Sequence, residues 1–384
     1  MLKLVDIVNW NADASCLSAD RWLTALDGGA ESEFCGWLRL YVEFQRPVCL
    51  GLTGPTLADL YELNPEALAL VRSHPQIFSF VRRPFAHDIG LLRTAEGLAC
   101  NIDYGARAMR LALGCVPDAY LAPEFMCNAM QVSALVAAAV RCTFIHPSRF
   151  DAAAAAAANL PRQPYPVRGL FDDTLPCVPF LTKATEAYLD ALHRLDSSHW
   201  NECLAEVREA TAYTWRDGES AFLLPDSLLR ERRWLSQESG SVQRIGWQEA
   251  AWQIEARGEP RAYPIHPFSA WIREMKTYWY LADLRDIERN LVSLGPEQLH
   301  LWLLAINSDI LSSIEKRSPQ VRLVLGDGSH AHFEIRRQEK CTDGEECLAL
   351  IRGAHSDLGK QSSPSRRLRR ARLSFLQRLA GRHE

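Results

Sequence analysis

Short apolar runs alternate with helix-like stretches over the first 150 residues, and this alternation limits the possible folds more than any other feature. LKLVDIVNW reads as a first strand that ends in the polar cluster Asn9, Asn11 and Asp13. A helical stretch follows from Ala19 to about Tyr41, and then PVCLGLTG, an apolar strand closed by Gly54-Pro55. Leu57, Leu60, Leu63, Leu68 and Val71 recur near helical spacing, with Pro65 as a break. IFSFVRR, AYLAP and CTFIHPS read as three more strands, with helices predicted over 102–113 and 129–140. Strands and helices in this order build a parallel α/β sheet or barrel, with the reacting groups just past the C-terminal strand ends.

The pattern is less regular further on. Residues 151–180, with alanines throughout 152–158 and many prolines, are expected to form an excursion over the barrel surface. Trp200, Leu204, Val207, Thr211 and Trp215 share one helical stripe, which predicts a helix over 197–215 ended by Asp217-Gly218. AFLL would be the next strand, stopped by Pro225-Asp226, followed by helix 228–237, an extended VQRIGW and helix 248–256. Helices are expected over 268–294 and 296–315. A hairpin of VRLVLGDG and HAHFEIRR then turns at Asp327-Gly328.

Eleven Trp, ten Tyr and fourteen Phe exclude a disordered chain. No uncharged apolar run approaches the ~18 residues needed to cross a bilayer. Asp6 interrupts the N-terminal apolar run before a secretory core can form, so a cytoplasmic protein is expected. The eleven cysteines are odd in number and lack CxxC pairs, which favours reduced thiols over disulfides or a zinc ribbon. The absence of GxGxxG and GxxxxGK[ST] leaves nucleotide binding without support.

Of the net charge of −4, residues 360–384 contribute +7 from eight Lys or Arg and one Glu, so the rest of the chain carries −11. An acidic body argues against general nucleic-acid binding. In the basic tail, Leu368, Arg372, Phe375, Leu376 and Leu379 follow helical spacing. Such a helix suits an acidic partner, an anionic membrane surface or RNA, or equally the chain's own acidic body.

Two strand ends look alike. Ala119-Tyr-Leu-Ala-Pro-Glu124 and Ala221-Phe-Leu-Leu-Pro-Asp226 each run from an apolar strand through a proline to a carboxylate. Neighbouring parallel strands would bring both acids to one face. Paired carboxylates are what glycoside chemistry uses, one at the oxocarbenium-like centre and one, with a raised pKa, protonating the leaving oxygen. The plainer alternative is that each acid caps the helix after it.

GLTGPTLADLYELNPE, SFVRRPFAHDIGLL and AYLAPEFMCN resemble glycoside hydrolase family 57, and LLAINSDILSSIEKRSP is similar to that family's C-terminal Ser-Asp segment. The resemblance is specific over 1–150 and loose over 195–318. It implies a distorted (β/α)7 barrel followed by a C-terminal helical region, and retaining chemistry on an α-glycosidic bond of a carbohydrate substrate. The expected divisions are a barrel over 1–260, a helical bundle over 261–320, a hairpin region over 321–359 and the basic tail from 360. Glu124 matches the family nucleophile and His87 its substrate-binding histidine. For the acid/base, Asp226 has the expected strand-end position, while Asp217, in DGESAF, copies the family letters and is the alternate. The family's opening His-Gln-Pro is replaced by Asn9-Trp10-Asn11-Ala12-Asp13, which leaves room for an unusual sugar or for a barrel without activity that binds a carbohydrate or a partner protein.

Related polysaccharide deacetylases hold a metal through His-x3-His, but the first of these positions is Arg83 here. No metal or other cofactor is therefore expected. Asn11 and Asp13 are candidate sugar binders. Trp10 is read either as a stacking face for a sugar or as core, and His146 either as a cleft residue or as rim packing. Arg82 and Arg83 would grip a ligand carboxylate or phosphate, or pair with surface acids. Trp271, Tyr278, Trp279 and Tyr280, with Arg273 and Lys276, would wall the cleft or pack the bundle; Asp309 would reach the cleft or cap a turn.

Overall fold

The structure, a computed structural model, describes residues 1–13, 17–146, 163–181, 183–238, 240, 242–262, 275–307, 322–325, 331–334 and 363–381. The seven-alanine tract, Trp271, Arg273, Asp309 and the Asp327-Gly328 turn lie outside the described residues.

Strand β1 (Leu2–Trp10) is the centre of the larger sheet. It pairs in parallel with β2 (Val48–Leu52), with β8 (Thr211–Asp217) and, at its start, with β9 (Val242–Arg244); β3 (Phe78–Val81) lies beyond β2. A second sheet runs β4 (Ala119–Tyr120), β5 (Cys142–Ile145), β7 (Thr174–Pro179) and β6 (Tyr165–Arg168), with only β6 antiparallel. Among the described residues the ladders do not close into a ring. The sheets meet at two single contacts, a parallel bridge between Arg82 and Tyr120 and the Leu181 N–H donating to Tyr213 O at 2.9 Å.

Alternation along each strand separates two buried environments. Val5 and Ile7 of β1 join Cys49, Val81, Ala119, Cys142, Phe144, Val178 and Tyr213 in one apolar cluster that draws on seven strands. Leu4, Val8 and Trp10 face the opposite way, onto α1 (Ala19–Leu26), α2 (Glu33–Glu43) and α3 (Gly54–Leu63). The helices α4 (Pro65–Ser73), α5 (Ala95–Leu113) and α6 (Ala129–Ala137) complete the first half. Asn64 caps α4 by accepting from the Ala67 N–H, so the expected break at Pro65 separates two capped helices.

Three expectations for the middle of the chain are corrected. The segment 151–180 is not all excursion, because β6 and β7 fall within it and β7 is a parallel neighbour of β5. Pro176 and Pro179 obscured this strand, since proline seldom sits inside a sheet. After α7 (Ala184–Arg194), the predicted helix 197–215 is instead the short α8 (Ser198–Ala205) and then β8. Thr211, Tyr213 and Trp215, branched and aromatic residues two apart, suit a pleated strand, and the helical spacing was coincidental. AFLL is no strand: Ala221 and Phe222 end α9 (Glu219–Phe222), Leu223 is its C-cap, and α10 (Ser227–Gln237) follows.

The outward face of β8 is tied to β1 by a buried charge cluster. Asp6 accepts from Thr214 Oγ1 at 2.8 Å, from Arg216 at 3.1 and 3.2 Å and from Arg244 at 2.8 Å. Glu238 holds Arg244, and Glu231 accepts from the Tyr41 and Tyr188 hydroxyls. The Arg216 guanidinium lies 4.2 Å from the Tyr188 ring centre and 4.8 Å from that of Trp234. The two arginines keep Asp6 ionised, holding its pKa below the ordinary value against the opposing effect of burial.

Past α11 (Trp247–Ala251), the described helices are α12 (Met275–Glu288), α13 (Pro296–Ala305) and the tail helix α14 (Ser363–Ala380); β10 (Arg322–Leu325) pairs antiparallel with β11 (Ala331–Glu334). Tyr278 and Trp279 are exposed, whereas Tyr280 is buried and donates its hydroxyl to Ala305 O. Among the described residues no helix is long and apolar enough to cross a membrane. The tail helix docks on the body. Arg372, fully buried, grips Asp59 through two hydrogen bonds of 3.0 and 2.7 Å and Asp13 through one of 2.6 Å. Removing one partner from a buried pair typically costs about 3–5 kcal/mol, whereas exposed pairs contribute ~1 kcal/mol or less. Arg372→Met is therefore expected to lower the unfolding free energy, measured by denaturant titration, by an amount of that larger order, and Arg378→Met, which loses only a rim contact with Glu62, to leave it nearly unchanged.

Candidate active site

A cavity of about 60 Å³ lies at the C-terminal strand ends, lined by Asn9, Arg83, His87, Ala122, Glu124, Phe125, Trp215 and Asp217. Asn9 and Asp217 are register partners across β1 and β8, and the Asn9 amide donates to Asp217 Oδ1 at 3.2 Å. Period-two alternation sends Tyr213, Trp215 and Asp217 to one face of β8 and Thr214 and Arg216 to the other. Gly218 then lets the chain turn close over Trp10. A Cβ there would stand 2.3 Å from the indole, while the backbone at φ −67° is open to any residue.

Glu124 arrives differently. It follows β4 in a tight 3-10 turn, Pro123–Phe125, in which Glu124 and Phe125 both have φ 53°. Two adjacent non-glycine residues in the left-handed region cost about 1–3 kcal/mol each, and such strain persists only where packing over-determines it. Here the Phe125 ring lies 4.9 Å from Trp215, 5.5 Å from His146 and 5.6 Å from Phe180. The strained turn aims the Glu124 carboxylate at His87, with Nε2 3.8 Å from Glu124 Oε1.

Asn11 fixes His87 from behind. Its amide oxygen accepts from the Asp13 N–H at 3.2 Å, which orients the amide so that Nδ2 donates to His87 Nδ1 at 2.5 Å. With Nδ1 accepting, the ring proton of neutral His87 sits on Nε2, facing Glu124. Asn11 is itself held by Glu219 Oε1, which accepts its N–H at 2.7 Å.

The structure thus gathers Glu124, Asp217, His87 and Arg83 at one cavity and seats Asn11 directly behind His87. It does not bring the other candidates there. Asp226 is exposed at the N-terminus of α10 and does not line the cavity; because AFLL is helical, the chain passes it away from the strand ends. Its side chain makes no cap hydrogen bond, and the helix after Glu124, α6, is capped by Asn128, so helix capping explains neither acid. Trp10 is core, fully buried among Trp22, Phe34, Trp37 and Phe222. Asp13 is turned to Arg372, and His146 packs against Phe125 and, edge-on, against Trp215. Asn9, Phe125, Trp215 and Glu219 were missed; the two-residue spacing of Tyr213, Trp215 and Asp217 was the available signal. Among the described residues no group of three or more His, Cys, Asp or Glu side chains could hold a metal.

No protein-family model matches the sequence, and no curated protein matches it. Solved structures do. A 4-α-glucanotransferase from Thermococcus litoralis superposes with a TM-score of 0.64 at 13% identity over 86% of this chain, which spans 63% of that enzyme. A GH57-type branching enzyme from Pyrococcus horikoshii gives 0.61 at 9% identity, covering 97% of this chain and 96% of that one. The α-amylase AmyC from Thermotoga maritima gives 0.60 at 9% identity over 100% of this chain and 99% of its own. This chain shares the fold of these enzymes. The likeness is one of architecture, and the cavity lies where α/β folds carry their sites, past the C-terminal ends of parallel strands.

The Asn11–His87 contact is directly measurable. Nitrogen-15 spectra of neutral His87 are expected to show the Nε2-protonated tautomer. Asn11→Leu should return the ring to a mixture of tautomers, and an Nδ1-protonated ring in the unaltered protein would contradict the arrangement.

Proposed function

We propose that the chain is a retaining carbohydrate-active enzyme, a glycoside hydrolase or transglycosylase acting on an α-glycosidic bond. Glu124 is the nucleophile and Asp217 the acid/base. The observation that carries this reading is that Glu124, after β4, and Asp217, at the end of β8, line one cavity. The reading also takes the seven parallel strands β1, β2, β3, β4, β5, β7 and β8 as a distorted (β/α)7 barrel. Their shared interior cluster and the two contacts joining the sheets support it.

In this mechanism Glu124 attacks the anomeric carbon, its carboxylate steered by the Nε2 proton of His87. Asp217 protonates the departing oxygen, then removes a proton from the water or sugar hydroxyl that releases the glycosyl group. Asn9, donating to Asp217 Oδ1, fixes which oxygen faces the substrate. A second reading, a non-catalytic barrel that binds a carbohydrate or partner protein, is favoured by the size of the cavity. At about 60 Å³ it is well below the ~300–1,000 Å³ of ordinary ligand pockets.

Activated α-glycosyl fluorides separate the two. The expected result is a glycosyl adduct on Glu124, found by peptide mass mapping and absent from Glu124→Gln. Asp217→Asn should reduce turnover of substrates with poor leaving groups by about 10²–10⁴-fold, the usual contribution of a general acid, while Asp226→Asn should match the unaltered protein. Adducts and turnover absent across the panel would favour the binding reading.

A further inference from the structure

Arg83 lines the cavity and carries a charge that the mechanism above leaves unused. It stands just beyond β3, 2% exposed, and donates from Nη1 to Leu121 O at 2.7 Å. Its Nε and Nη2 are buried without a hydrogen-bond partner. In a guanidinium these two N–H groups share one edge and point in parallel, at the spacing of the two oxygens of a carboxylate. The remainder of the residue is rigidly seated: Gly105 of α5 lies against it so closely that a Cβ there would stand 2.3 Å from Arg83 O. Arg82, its neighbour, faces elsewhere and donates to Ala138 O.

The charge on Arg83 is incompletely balanced. Burial pulls its pKa down to about 10, although Tyr120, Asp217, Glu124 and Glu219 all pull the other way. An unsatisfied buried donor typically costs about 1–3 kcal/mol, more when charged, so two of them on one edge of a residue that lines the cavity mark a candidate recognition element.

We propose that this edge of Arg83 receives a carboxylate carried by the sugar, so that the cleft takes an acidic saccharide containing a uronic-acid unit. The proposal rests on the carbohydrate reading of the same site. The cavity, about 60 Å³, has room for a carboxylate group in place of roughly two waters at ~30 Å³ each. Glu124 and Asp217 stand on the same cavity, and their repulsion penalises a dianionic phosphate about twice as heavily as a monoanionic carboxylate. Removing one of those charges strengthens anion binding.

Calorimetric titration of the full-length Glu124→Gln chain, which binds without turning over, tests this with glucuronate, its methyl ester, galacturonate, glucose and glucose 6-phosphate. A uronate is expected to bind at least tenfold more tightly than glucose or the neutral ester, and more tightly to Glu124→Gln than to the unaltered protein. Adding Arg83→Gln should bring uronate affinity down to that of glucose, and Arg83→Lys, which keeps the charge but loses the fork, should do nearly the same. The comparison of acid with ester needs no change at Arg83 and stands even if those variants fail to fold. Equal binding of uronate, ester and glucose, or tighter binding of glucose 6-phosphate than of either uronate, would overturn the proposal and leave the carbohydrate reading in place. Failure of all five sugars to bind would overturn both.

Discussion

The parallel ladder between β1 and β8 is the constraint on which the rest depends. Its seven partner pairs run from Lys3↔Thr211 to Asn9↔Asp217. A slip of one residue would turn Asp217 out of the cavity and Arg216 into it, because side chains alternate faces along a strand. The register is fixed from behind by Asp6, whose hydrogen bonds to Thr214, Arg216 and Arg244 are possible only in this pairing. Buried charge clusters add little net stability over well-packed apolar groups, but breaking one is expensive. In this chain that penalty falls on any arrangement that would misplace the candidate acid.

A second constraint reaches the cavity from the far end of the sequence. Arg372 of the tail helix holds Asp13, the Asp13 N–H orients Asn11, Asn11 sets the His87 tautomer, and His87 faces Glu124. The basic tail and the acidic body thus meet in a single buried contact that bears on the site. Opposite, the strained Glu124-Phe125 turn is held by aromatic packing on Phe180, Trp215 and His146. Glu124 is positioned by packing, and Asp217 by strand register.

The legible part of the sequence was the part with local signals. Alternation in 1–150 foretold the parallel α/β architecture, and Pro-Glu after AYLA marked Glu124. The family 57 resemblance carried by those motifs agrees with the structural neighbours. What failed was non-local or ambiguous. AFLLPD copies AYLAPE in composition, yet it folds as a helical turn because the neighbouring strand is TAYTWRD, whose pairing with β1 lies some 208 positions away. Asp217-Gly218 read as the end of a helix, although Gly218 is there for its lack of a Cβ against Trp10. Trp10 and Asp13 sit in a polar cluster in sequence but belong to the core and to the tail helix in space.

The most direct test of the account is the distance between the Glu124 and Asp217 carboxyl groups in a crystal structure of the protein. Retaining chemistry requires about 5–5.5 Å, and inverting chemistry roughly 6.5–9.5 Å. The account predicts the shorter range, with Asp226 well outside both. A Glu124–Asp217 separation beyond the longer range, or an Asp226 carboxyl nearer to Glu124 than that of Asp217, would contradict it.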